Sequence, residues 1–144
     1  MGLSCLVETI QRELGLERPV IESLLCDAGF SEYTDSQDNA QALAAQLRGP
    51  MENHFEQVAQ ELRLSMGYAS SQYPDAELDK LLLTGGGAAI PGLAEHLSRK
   101  LEVTTSPMTP MNVCRGPRSL SAEANSPALM IALGLAWFRQ EVAA

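Results

Sequence analysis

The chain has 144 residues, 45% of them hydrophobic, which suffices for one modest buried core. Its 18 acidic and 10 basic residues give a net charge of -8, and no basic cluster exceeds pairs such as Arg99 and Lys100, which excludes a nucleic-acid partner. Three widely spaced cysteines without a CxxC pair predict reduced thiols of an intracellular protein, and neither a disulfide framework nor a metal site.

Two short helices are predicted at the start of the chain, over residues 4–14 and 17–27. Pro19 is tolerated in the first turn of the second helix, where a backbone N–H group has no intrahelical partner. One face of this helix is apolar and is formed by Val20, Ile21, Leu24 and Leu25. Gly29 ends the helix, and the polar run SEYTDSQDN predicts a mobile, disordered loop.

A long helix is the strongest periodic signal. The segment AQALAAQLR has helical spacing until Gly49 and Pro50, which are expected to interrupt it. Over residues 52–71, apolar side chains recur at steps of three and four: Phe55, Val58, Ala59, Leu62, Met66 and Ala69. This pattern predicts a long amphipathic helix.

The period changes after this helix. Residues 80–84 contain three consecutive leucines, and this short aliphatic run predicts a strand covered on both faces, as in parallel sheets. Three glycines follow, and Pro91 opens a helix that extends to Leu101. Residues 102–105 predict a second short strand, and the three prolines of SPMTPMNVCRGPRS predict a loop without regular structure.

The last helix, PALMIALGLAWFRQ, starts at Ser126 and Pro127 and is apolar on nearly every side through Trp137. A helix of this kind is expected to be buried in the core. Its apolar stretch is about a dozen residues, short of the roughly 20 that span a bilayer, so we predict no direct membrane insertion.

The three glycines, Gly85, Gly86 and Gly87, connect a predicted strand to a predicted helix. Strand-to-helix turns of α/β proteins bind anions and nucleotides, because glycine allows close approach and the helix start offers N–H groups and a favourable dipole. The run has neither the GxGxxG spacing of a dinucleotide fold nor the Gly-Lys-Ser/Thr ending of a P-loop. Nucleotide contact and a tight packing turn therefore both stay open.

No residue is predicted to be catalytic or to bind a metal. His54 and His96 lie in predicted helices without a second ligand at suitable spacing, which favours solvent-facing or capping roles. Asp75, Glu77 and Asp79 crowd one turn, where solvation explains them better than acid–base chemistry.

Three segments, in order, carry a resemblance to a known family: ELRLSMGYASSQYPDAELD, LLLTGGGAAIPGL and SPALMIALGLAWFR. Together they resemble the C-terminal part of the type IV pilus assembly protein PilM family, which belongs with FtsA, actin and heat-shock chaperones. The resemblance implies a helix-rich α/β fold, part of an actin-like (ribonuclease H-like) ATPase domain with a small sheet and several packed helices. It also implies three parts: N-terminal helices of the actin-like core (1–30), a helical subdomain with the long helix (31–78), and the strand, glycine-rich turn and helices of the core (79–144).

The resemblance also implies a site. In these proteins the glycine-rich turn lines the adenosine side of an interdomain cleft, and the matching residues here are Gly85, Gly86, Gly87 and Ala88. ATP or ADP with magnesium is implied for the intact protein, whereas this chain alone implies no definite cofactor. The phosphate hairpins and acidic metal ligands come earlier in the family's sequence, so we expect this chain alone not to hydrolyse ATP. One position departs from the family, because Leu64 stands where an Arg commonly precedes the Ser-Leu pair.

The resemblance further implies a cytoplasmic protein, peripheral to the bacterial inner membrane through the platform proteins of a type IV pilus or related secretion machine. The alternative is a non-catalytic interaction scaffold that keeps the actin-like fold without nucleotide binding. Self-association is also expected, by edge pairing or by exchange of the C-terminal helix, because few predicted strands leave the sheet edge and the apolar face of residues 127–138 partly open. Isothermal titration with ATP and magnesium separates nucleotide binding from the scaffold role.

Overall fold

The computed structural model describes residues 2–27, 29–30, 39–75, 77–114 and 125–141, and the structural statements below concern these residues. They form six α-helices and two β-strands: α1 (Leu3–Leu14), α2 (Arg18–Asp27), α3 (Asn39–Gln72), β1 (Lys80–Leu83), α4 (Leu93–Leu101), β2 (Thr104–Pro107), α5 (Pro110–Val113) and α6 (Met130–Glu141). Short 3-10 helices precede α4 and α6, at Gly86–Ala89 and Pro127–Leu129. The polar run predicted to be mobile lies outside the described residues, except that its last residue, Asn39, begins α3.

The two strands form a small parallel sheet, in which Lys80 lies opposite Thr104 and Leu83 lies opposite Pro107. Helix α4 makes the crossover between them, as parallel pairing requires. The second strand begins two residues later than predicted, because Glu102 adopts a left-handed conformation (φ 56°) at the end of α4. The chain therefore makes a turn at Glu102 before the extended conformation of β2 begins.

One hydrophobic core joins the first four helices. Its fully or nearly fully buried members come from each of them: Leu6, Val7, Ile10, Ile21, Leu25, Leu47, Met51, Phe55, Ala59, Leu93, Leu97 and Leu101, with Ile90 of the preceding turn. Burial of each large aliphatic side chain stabilises the fold by about 1.5–3 kcal/mol. The core draws on segments before residue 30, between 39 and 59, and from residue 90 onward, while the predicted division into three parts stays a prediction.

Helix α3 continues through the predicted interruption at Gly49 and Pro50, so that prediction is wrong. Proline removes one backbone hydrogen bond and strains the preceding turn. Leu47, Met51 and Phe55 lie on both sides of this point and are all buried in the core. Because these side chains share one face, their packing holds the two halves in one helix despite the proline.

The last helix is exposed, which contradicts its predicted burial. Ile131, Leu135 and Trp137 have 64%, 68% and 52% of their surface exposed. Among the described elements, α6 contacts chiefly the 3-10 helix that leads into it. An apolar sequence indicates that a helix is suited to burial, but burial also requires a neighbouring surface on which the helix can pack. None of the described helices has the length and hydropathy that would let it cross a bilayer.

Two smaller predictions also need correction. The segment after β2 was expected to lack regular structure, yet Pro110–Val113 forms one helical turn, which the side chains of Thr109 and Asn112 cap reciprocally. In α2, Ile21 and Leu25 are buried as expected, but Val20 is 43% exposed.

Candidate functional site

The glycine turn runs from the end of β1 to the start of α4. Gly85 has φ 87° and ψ 178°, a conformation that is essentially restricted to glycine. Residues Gly86–Ala89 then form a 3-10 helix, and Gly92 caps α4 in the left-handed region with φ 75°. Pro91 therefore lies in a turn before the helix and does not open it as predicted.

Backbone hydrogen bonds fix the turn. The amide of Gly85 donates to the carbonyl oxygen of Pro127 at 3.1 Å, which ties the turn to the segment before α6. Within the turn, the amide of Ala88 donates to Gly85 at 3.1 Å, and that of Ile90 donates to Gly87 at 3.2 Å. These three amides are thus occupied by protein acceptors and are not donors for a ligand.

Two of the glycines lie against α1. A Cβ on Gly86 would meet Leu3 Cδ2 at 3.6 Å, and one on Gly87 would meet Leu3 Cβ at 3.9 Å, both ordinary contact distances. The positive φ in the triplet belongs to Gly85, where nothing lies within 4 Å of the position that an added Cβ would take. The turn therefore needs its first glycine for conformation, whereas the other two leave room for a methyl group.

A cavity of about 490 Å³ lies beside the turn, within the usual volume range of small-molecule sites. Its lining comes from the turn, the start of α4, the end of β2 with the segment after it, and the segment before α6: Ala88, Ala89, Ile90, Pro91, Gly92, Ala94, Glu95, Pro107, Thr109, Asn125, Ser126 and Pro127. Of the four predicted site residues, Ala88 is in this lining and the three glycines are not.

The chemistry of this lining suits a flat, mostly neutral group. The lining includes three alanines, which leave space, and the hydrogen-bonding side chains of Thr109, Asn125 and Ser126. The described lining contains one charged residue, Glu95, and no Lys or Arg. It therefore offers contacts for a nucleoside but no cationic clamp for phosphates.

Arg63 does not replace the Arg that the resemblance leads one to expect at position 64. Its Nη2 donates to the carbonyl oxygen of Lys100 at 2.6 Å, and its Nη1 lies 3.8 Å from Glu56 Oε1. Leu64 itself is 76% exposed. Arg63 thus ties α3 to the end of α4, where it satisfies a terminal carbonyl group.

Both histidines are less accessible than predicted. His54 is 8% exposed and lies edge-on to Phe55 at 5.2 Å between ring centroids, and burial lowers its pKa. His96 stacks on Phe30 at 4.3 Å, and burial, then Lys100 and Arg99, lower its pKa. A solvent-facing role is therefore wrong for His54, whereas His96 is half-buried, and a capping role for either side chain stays a prediction. The part of the chain that the structure describes brings no three potential metal ligands together.

The small parallel sheet, the packed helices and the strand–turn–helix unit define part of an actin-like domain, as the resemblance implied. The family described as type IV pilus assembly protein PilM matches residues 40–140, and the chain belongs to this family. The expected fold class and family are thus confirmed.

A solved structure agrees with this assignment. The chain superposes on a chain of the PilM-PilN type IV pilus biogenesis complex with a TM-score of 0.69 and 22% sequence identity. The similarity covers 93% of this chain and 35% of that one, so this chain spans about a third of its neighbour's length. No curated protein sequence matches the chain.

Proposed function

We propose that this chain forms the adenosine-side wall of a nucleotide cleft in a cytoplasmic PilM-like component of type IV pilus or related secretion machinery. The observation that carries the proposal is the cavity of about 490 Å³ between the glycine turn and the segment before α6. The resemblance implied that this turn lines an adenosine site, and Ala88 borders the cavity. The bond from Gly85 to Pro127 holds its two walls in register.

The lining predicts which part of the nucleotide contributes affinity. Alanine, threonine, serine and asparagine side chains suit a base and a ribose, whereas the described lining has no cation for the phosphates. Adenosine, ADP and magnesium–ATP should therefore bind this chain with similar, weak affinity, on the order of 0.1 mM. In the intact protein, ATP or ADP with magnesium would be the ligand.

Titration calorimetry with adenosine and with magnesium–ATP tests the proposal. Ala89 is exposed and lines the cavity, so Ala89→Glu fills it without disturbing the core, and should abolish binding. Ala45 is exposed on α3 and does not line the cavity, so Ala45→Glu is a matched control that should bind like the wild type. Absence of saturable binding, or equal binding by both variants, would refute the nucleotide wall.

A second candidate function is an interaction scaffold, and the exposed apolar side chains of α6 favour it. Ile131, Leu135 and Trp137 offer a surface of the kind that protein partners cover. The solved neighbour is a complex that contains PilN, so the partner we propose is a PilN-like protein of the inner-membrane platform. Such a partner would hold the chain at the membrane without insertion.

Binding of a purified, fluorescently labelled PilN protein measures this contact. Leu135→Glu places a charge on the exposed face of α6 and should weaken binding at least tenfold, since a buried unpaired charge is costly. Leu64→Glu is the matched control, because Leu64 is similarly exposed on α3. If Leu135→Glu binds PilN as tightly as the wild type, α6 is not the contact surface.

A further inference from the structure

A second cavity, of about 400 Å³, gathers basic residues on the outer side of α3 and α4. It is lined by Phe30, Arg48, Glu52, His96, Arg99 and Lys100, none of which lines the cavity at the glycine turn. Three of the ten basic residues of an acidic chain thus border one cavity. Net charge alone does not predict such a concentration.

Two basic side chains of this cavity, Arg48 and Lys100, have more hydrogen-bond donors than their ion pairs use. Arg48 Nε donates to Glu52 Oε1 at 3.2 Å, and Lys100 Nζ donates to Glu56 Oε2 at 2.6 Å. A guanidinium group has five N–H donors and an ammonium group has three. These bonds occupy one donor on each residue, and both side chains are about half exposed.

The local charge balance is positive. Glu56 and Arg63 adjoin the lining through ion pairs at α3 and α4, and with them four cations face two carboxylates. Two positive charges are left, which matches the charge of a phosphate group near neutral pH. Burial is the first cause of the lowered pKa of His96; Lys100 and Arg99 lower it further, and Glu52 and Glu56 raise it.

An aromatic pair forms another part of the cavity wall. Phe30 and His96 are stacked with 4.3 Å between ring centroids and 22° between their planes. His96 Nε2 is buried and has no hydrogen-bond partner among the described residues. Buried polar atoms normally have partners, so the cavity adjoins a polar group that has not been satisfied.

We propose that this cavity binds a phosphate dianion, as free phosphate or as the phosphate of a small monoester. The guanidinium groups of Arg48 and Arg99 supply fork-shaped donors for two phosphate oxygens, and Lys100 supplies a point charge. Phe30 offers an apolar surface for the organic part of an ester. The site is separate from the proposed nucleotide wall and does not depend on it.

Titration with inorganic phosphate at constant ionic strength tests the site. Arg99 is exposed, so Arg99→Gln removes a cavity charge without disturbing the core, and should weaken phosphate binding about tenfold. Arg12, exposed in the last turn of α1, gives the matched control Arg12→Gln, which should bind like the wild type. Circular dichroism verifies that both variants are folded.

Phenyl phosphate separates the two sources of the dianion. Tighter binding of phenyl phosphate than of inorganic phosphate assigns the site to a monoester, and equal binding assigns it to free phosphate. The proposal is wrong if neither probe binds saturably, or if Arg12→Gln and Arg99→Gln weaken binding equally, since the effect would then be one of net charge.

Discussion

The backbone amide of Gly85 donates a hydrogen bond to the carbonyl oxygen of Pro127 at 3.1 Å, although the two residues lie far apart in the sequence. Gly85 can make this bond because its φ of 87° and ψ of 178° turn the chain out of β1. A side chain at this conformation costs about 1–3 kcal/mol. We therefore predict that Gly85→Ala lowers the free energy of unfolding by this amount, as measured by urea denaturation.

Gly86→Ala is the control for this prediction. Its Cβ would meet Leu3 Cδ2 at 3.6 Å, an ordinary contact, and Gly86 has no positive φ. The change in unfolding free energy should stay within about 0.5 kcal/mol. Equal destabilisation by Gly85→Ala and Gly86→Ala would show that conformation at Gly85 is not what the turn requires.

The backbone beyond α2 packs directly on the turn before α4. The amide of Phe30 donates to the carbonyl oxygen of Pro91 at 2.7 Å, and a Cβ on Gly29, which has φ 52°, would overlap that same oxygen. Overlap with backbone cannot be relieved by a rotamer change, so Gly29→Ala should cost roughly 3 kcal/mol or more.

The matched control is Gly67→Ala within α3, where nothing lies within 4 Å of the added Cβ. Alanine is the better helix former, so this variant should gain about 0.5–1 kcal/mol. Thermal denaturation of both variants gives the comparison. A Gly29→Ala protein as stable as the wild type would mean that Phe30 and Pro91 are not held together.

A fall in pH should destabilise the protein already at pH values above those at which its carboxylates become protonated. Burial lowers the pKa of His54 and His96 below their ordinary value of 6.5, so the unfolded chain binds more protons than the folded one below that pH. The contribution of these two histidines to the free energy of unfolding is fully present above about pH 6.5 and is lost as the pH falls toward their lowered folded-state pKa values. Glu56, whose pKa is lowered by the hydrogen bond from Lys100, adds a loss only around and below its ordinary value of 4.5.

Urea midpoints between pH 8 and pH 5 measure this effect. His96→Phe keeps an aromatic ring against Phe30 and removes one titrating group, so it should reduce the loss of stability between pH 7 and pH 5. An unchanged slope in His96→Phe would contradict the assignment of the acid sensitivity to this side chain.

Local sequence patterns predicted the elements whose conformation depends mainly on neighbouring residues. The strand predicted at residues 80–84 is β1 (Lys80–Leu83), but its predicted cover on both faces is wrong, because Leu82 is 48% exposed. The helices at both sides of Gly15 begin and end within a residue of their expected positions. The glycine triplet indicated a special turn, but which glycine has a positive φ depends on the bond from Gly85 to Pro127, a contact between distant segments.

Contacts between distant segments decided the features that local sequence patterns did not predict. Pro50 predicts a helix end, and packing of Leu47 and Met51 on one core overrides it. The cavity with Arg48 and Arg99 could not be predicted, because its cations come from two helices whose pairing no local pattern reveals. The adjacent pair Arg99 and Lys100 was the signal that the sequence offered.

The exposed face of α6 predicts self-association of the isolated chain. Leu135 and Ile131 of α6 are 68% and 64% exposed. Covering apolar surface stabilises a protein by about 25 cal/mol for each square ångström removed from water. A second copy can cover this face with its own α6, so light scattering should give a dimer at micromolar concentration. Leu135→Glu should shift the protein to monomer, while Leu64→Glu, on the similarly exposed Leu64 of α3, should leave the dimer intact. A wild-type chain that stays monomeric at 100 µM, a concentration on the order of which weak dimers assemble, would show that α6 is stable in water without cover.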